Sequence, residues 1–89
     1  MKLKVIFKLE VVYMTLDRMP RDVSARVLSV KASGKHALRL MELGLVPGTE
    51  VRVVKSAPLG DPIQICLRNH HLALRCLEAQ AITVAICKK

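Results

Sequence analysis

The chain has 89 residues, 52% of them hydrophobic, and a formal net charge of +8. That suffices for one domain around one core and is too apolar for a disordered tail. Phe7 and Tyr13 are the only aromatic residues, so the core must be built from Val, Leu, Ile, Ala and Met, and a nucleic-acid binder would have few rings on which to stack bases.

Basic residues are spread along the whole chain with no block of like charge. Such a surface favours encounter with acidic partners, anionic membranes or nucleic acid, and specifies none of them. The cysteines are Cys66, Cys76 and Cys87. An odd number without a CxxC pair argues against a disulfide framework and fits a reducing cytosol. Lys8 and Glu10 interrupt the first apolar stretch too early for a signal peptide. No apolar run reaches the ~20 residues of a membrane helix, so no membrane insertion is expected. The chain reads as cytoplasmic, with a surface suited to the inner face of the membrane.

Residues 2–13 alternate, with Leu3, Val5, Phe7, Leu9, Val11 and Tyr13 on one face, which predicts a strand. Met14 to Pro20 reads as an irregular entry. Met14 also fits a translation start, which would make residues 1–13 an extension and residues 14–89 the domain. Residues 24–31 read as a strand, and Lys35 to Leu43 keep helical spacing. Gly44 stops that helix, with Leu45 placed to pack back on its last turn. Pro47-Gly48 supplies a turn. Strands follow over residues 49–55 and 62–68, separated by a loop through Gly60, Asp61 and Pro62. Asn69-His70-His71 reads as a turn, Leu72 to Arg75 as the returning strand, Leu77 to Gln80 as a helical turn, and Ile82 to Cys87 as the last strand. Five short strands and one short helix at this spacing predict a mainly β fold, a small barrel. The extension is expected to add a sixth strand, either on its edge or against another chain.

Motifs for an enzyme are missing. There is no phosphate-binding glycine loop, no H-E-x-x-H and no G-x-S-x-G, and the acids form no sequence pair suited to acid/base work. The expectation is a binding module.

The run Arg39-Leu40-Met41-Glu42-Leu43-Gly44-Leu45-Val46-Pro47-Gly48-Thr49-Glu50-Val51 closely resembles the RL-x-ELGL-x-PGTEV of the FeoA family. Ala57 to Pro62 resembles its APLGDP. Leu72-Ala73-Leu74-Arg75 with Glu78-Ala79 resembles its LALR-x-x-EA. The similarity covers about residues 15–86. Asp22 stands where the family usually has Gly, and Asn69-His70 where it has Gly and an aromatic residue. Asp and Asn are the residues after Gly that best tolerate φ > 0. The resemblance implies an SH3-like barrel and a role in ferrous iron transport and iron homeostasis, beside the FeoB membrane transporter, whose cytosolic part is a GTPase.

Two groups of residues are candidate sites. Met41, Leu43, Leu45 and Val46 offer apolar contacts for docking on that transporter's cytosolic domain, around a turn fixed by Gly44, Pro47 and Gly48. The same residues also suit a purely structural role in the chain path and core. Cys66, His70, His71 and Cys76 are metal-capable, for Fe(II) or another divalent transition metal. Their spacing argues against one site: extended chain puts Cys66 and His70 ~13 Å apart, and adjacent histidines point to opposite faces. A basic small barrel for nucleic acid and a ferrous metallochaperone are the competing readings. No nucleic-acid partner is expected, and the N-terminal strand offers a route to a homo-oligomer.

Overall fold

The computed structural model describes residues 10–56, 58, 60–68 and 70–88. Six antiparallel strands form one sheet: β1 Glu10–Thr15, β2 Ser24–Val30, β3 Glu50–Ser56, β4 Ile63–Leu67, β5 His70–Leu74 and β6 Ile82–Lys88. Their spatial order is β1-β6-β2-β3-β4-β5. Two short helices, α1 Gly34–Glu42 and α2 Cys76–Gln80, and a 3₁₀ turn at Leu16–Arg18 complete the fold.

Alternation sets the inner face. Ala25 and Val27, Val51 and Val53, Ile63, Ile65 and Leu67, and Ile82, Val84 and Ile86 are all buried in one cluster, as period two requires of a sheet with one wet face. Two irregularities bend the sheet around that cluster. The β2–β6 register shifts between Val27 and Ser29, and the β3–β4 register between Val53 and Lys55. An extra residue in one strand raises local twist and curls the ladder. Among the described residues no ladder joins the edge strands β1 and β5. The 3₁₀ turn packs against α2, and their Leu16 and Ala79, with Leu74 of β5, are fully buried.

The helix stop behaves as its sequence predicts. Gly44 has φ +101°. Its N–H donates to Met41 O (2.9 Å), and the Leu45 N–H donates to Leu40 O (3.0 Å). These are the paired bonds of a Schellman motif, and buried Leu40 and Leu45 supply its apolar contact. The Pro47-Gly48 turn closes with Thr49 N–H to Val46 O at 3.1 Å, with Gly48 at φ +94°. Thr49 is the buried polar residue of the core, and its hydroxyl donates to Gly44 O (3.0 Å). Strand β2 holds the whole segment. Gly48 N–H donates to Val27 O (2.8 Å), Val27 N–H to Thr49 O (2.9 Å), and the Arg26 guanidinium to Gly48 O (2.9 Å).

The elements differ from the sequence reading in three places, and Asp22 behaves as its residue type suggests. Met14 and Thr15 belong to β1 rather than to an irregular entry, so the strand crosses residue 13; residues 1–9 of the predicted strand lie outside the described residues. Strand β4 ends at Leu67, and His70 and His71 are the first residues of β5 rather than turn residues. Arg68 takes φ +50°, the positive value that a two-residue hairpin turn demands. Residues Cys76–Gln80 form a second α-helix. Asp22 takes φ +63° while its N–H donates to Val53 O (2.8 Å), so Asp fills a backbone role suited to Gly.

Candidate functional site

Helix α1 buries Leu40 and half-buries Ala37, which fixes its inward face. At 100° per residue, Arg39 and His36 then lie on one flank and Met41 on the other, with Leu38 near the outer crest. The Arg39 flank faces α2, where the guanidinium pairs with the Glu78 carboxylate. Glu78 also accepts the Arg75 N–H through Oε1 at 3.0 Å, half of a capping box, since an arginine side chain has no acceptor to return the bond. Glu78 thus holds the start of α2 and ties it to α1.

Between the helices lies an open cleft of about 340 Å³, lined by Lys31, Ser33, His36, Leu40, Leu77 and Glu78 among others. Leu77 forms its lip and is 77% exposed, the most exposed large apolar side chain described. Lys31 is the exposed cation of the lining, and Arg39 reaches the cleft through its pair with Glu78.

The structure sorts the predicted docking residues. Leu45 is a correction. It has no exposed surface, because the Schellman geometry turns it under the last turn of α1. It holds the core and offers nothing to a partner. Leu43 and Val46 are half-buried beside it. Met41 is 52% exposed and Leu38 56%, a pair on the side of α1 away from α2. The sequence reading missed Leu77, Leu38 and the α1–α2 cleft. A signal was present in the Arg and Glu of two separate motifs, Arg39 and Glu78, but their pairing across the chain requires the fold.

The second predicted turn is pinned to α2. Gly60 has φ +86°, and the Asp61–Pro62 peptide is cis. Asp61 Oδ1 accepts the Cys76 N–H (2.9 Å), and the Cys76 thiol donates to Gly60 O (2.9 Å). The loop thereby caps the first turn of α2. Partial burial pushes the Cys76 thiol above its usual pKa, and the nearby Asp61 and Asp17 carboxylates add to the shift.

The metal-capable residues separate. Hairpin β4–β5 puts Cys66 directly opposite His71, and His70 opposite Leu67. Cys66 and His71 therefore share the outer face, with Arg52 opposite Cys66 on its other side. The extended-chain separation of Cys66 and the histidines does not apply, because the chain reverses after Leu67. His70 takes the other face, and Cys76 is engaged with the Gly60 loop. Among the described residues no group of three His, Cys, Asp or Glu side chains is arranged to hold a metal ion. No described helix is long and apolar enough to cross a membrane.

A curled six-stranded antiparallel sheet around one aliphatic core, with its cleft outside the sheet between two helices, defines a small SH3-like β-barrel module. The model of the FeoA domain matches residues 14–86, and the chain belongs to the FeoA family. It is 30% identical over 73 residues to the Fe(2+) transport protein A/Fe(2+) transporter FeoB fusion protein of Porphyromonas gingivalis, covering 82% of this chain and 9% of that protein. The solution structure of iron(II) transport protein A from Clostridium thermocellum superposes with a TM-score of 0.79 at 40% identity, covering 82% of this chain and 45% of that one. The zinc complex of Stenotrophomonas maltophilia FeoA, described as a prokaryotic SH3 domain protein, gives 0.71 at 41% identity, with 80% and 88% covered. The chain thus spans less than half the length of the first two of these relatives.

Proposed function

We propose that this chain is a non-enzymatic cytoplasmic accessory of ferrous iron uptake. It docks on the cytosolic GTPase part of a FeoB-like transporter and modulates it. The observation that carries the reading is the α1–α2 cleft, lined in part by Leu40 and Ala81, with the exposed Leu77 at its lip and Lys31 in its lining. A large exposed apolar side chain beside a concave surface marks a contact site. Family membership supports the transport context, and a relative that carries the FeoA unit and the transporter in one polypeptide supports the choice of partner. The net charge of +8 suits an acidic face on that partner.

Titration calorimetry of the transporter's soluble domain with the whole chain tests this reading. Saturable binding is expected, weakened about tenfold or more by Leu77→Asp. Met41→Asp, on the opposite flank of α1, should change it little. Absence of binding would refute the function, whereas loss with Met41→Asp and not with Leu77→Asp would move the contact to the other flank.

A further inference from the structure

The outer face of the sheet carries two features that the docking cleft does not use. Its apolar residues lie toward β1. Val11, Tyr13 and Leu28 are exposed there, Tyr13 by 64%, and Val11, Leu28 and Ala85 line one open groove with Arg26. Its cations lie toward β4. Tyr13 stands opposite Ala85, Ala85 opposite Arg26 and Arg26 opposite Glu50, so one row crosses from β1 to β3. The next row runs from Ser24 through Arg52 to Cys66, and Arg68 shares a shallow groove with these three. Lys55 stands opposite Gln64, which points outward between the buried Ile63 and Ile65. Arg26, Arg52, Lys55 and Arg68 are all exposed, and among the described residues none of them pairs with a carboxylate. Elsewhere the signs mix: Asp17 adjoins Arg18, Asp22 adjoins Arg21, and Glu78 pairs with Arg39.

We propose that this face rests on an anionic lipid bilayer, with the four cations among the headgroups and Val11, Tyr13 and Leu28 at the level of the interface. Peripheral binding grows with apolar area buried and with attraction to anionic lipid, and this face offers both side by side. Tyrosine suits the headgroup level, since its ring is apolar and its tip polar. The cations spread over about 10 Å from β2 to β4 and do not converge on one point, which fits headgroups that move laterally better than a single bound anion. A nucleic-acid duplex answers the cations but gains nothing from Val11 and Leu28. The face also curves outward around the core, so it meets a plane more broadly than a rod. It has no residue in common with the α1–α2 cleft, so the proposal stands whether or not that cleft docks a protein.

Co-sedimentation of the full chain with vesicles, in the absence of any protein partner, tests the proposal. Binding is expected to vesicles of phosphatidylcholine and phosphatidylglycerol in equal parts and not to phosphatidylcholine alone, and it should weaken as salt is raised. Tyr13 is the only tyrosine and the chain has no Trp, so its emission reports on the face directly: acrylamide should quench it less once the mixed vesicles are added. The double variant Arg52→Glu/Arg68→Glu should bind the mixed vesicles about a hundredfold more weakly. Arg18→Glu/Lys35→Glu makes the same change in net charge outside the sheet and should weaken binding by less than about tenfold. Circular dichroism must show both variants folded, and the quenching result needs no variant. Absence of binding, an equal loss from the two variants, unchanged quenching of Tyr13, or tighter capture of a DNA duplex at the same salt overturns the proposal.

Discussion

Replacing Gly44 with Ala puts the helix stop to a quantitative test. Gly44 has φ +101°, and a Cβ placed there would stand 3.2 Å from Cδ1 of Leu67. A side chain at positive φ costs roughly 1–2 kcal/mol. Reduced freedom of the unfolded chain offsets about 0.4–1 kcal/mol of that. Leu67 is buried, so its displacement against close-packed neighbours adds roughly 1 kcal/mol more. The expected net loss is about 2 kcal/mol, or a Tm lower by ~10 °C for a domain of this size. Gly48 is the internal control: its φ is +94°, but an added Cβ meets nothing within 4 Å. Gly48→Ala should cost roughly 1 kcal/mol less than Gly44→Ala, the Leu67 contribution being absent. The assay is thermal and urea unfolding followed by circular dichroism, since the chain has no Trp. An unchanged Tm for Gly44→Ala, or an equal loss at Gly48, would refute the Leu67 argument.

Three further outcomes are expected. Leu45→Asp should abolish cooperative unfolding, because it buries an unpaired charge where Leu45 is fully enclosed, whereas Met41→Asp should change stability by less than about 0.5 kcal/mol; paired melts compare them. A double-mutant cycle of Arg39→Gln and Glu78→Gln should give a coupling of about 0.5–1 kcal/mol that shrinks with added salt, because the arginine is half exposed. Site-resolved alkylation by mass spectrometry should find Cys76 slower than an unperturbed thiol at pH 8. Its raised pKa lowers the thiolate fraction there, and Asp61→Asn should speed the reaction.

Features with a local cause were legible in the sequence. Gly44, Pro47 and Gly48 announced the helix stop and turn because positive φ and a fixed proline torsion are single-residue properties. Even Asp22 declared its backbone role by residue type. Features set by distant contacts were not legible. Leu45 and Leu77 are both leucines beside a helix end, but Leu45 is turned inward by the Schellman bonds and Leu77 outward by the burial of Ala79 on five-residue α2. Met14 and Thr15 were placed in the entry segment, where proline and charge follow closely, although pairing with Val84 and Thr83 keeps them extended. The histidines read as turn residues, but the hairpin turns one residue pair earlier. The cleft arises from an ion pair between residues 39 positions apart, which no local pattern encodes.

The docking surface is tested most directly by amide chemical-shift mapping of the labelled chain as the transporter's unlabelled soluble domain is added. Shifts or broadening concentrated on residues 31–36 and 77–81, with β3, β4 and β5 largely unmoved, are the predicted result. Perturbation centred instead on the Met41 flank or on the outer face of β3–β5, or no perturbation at saturating partner, would contradict the account.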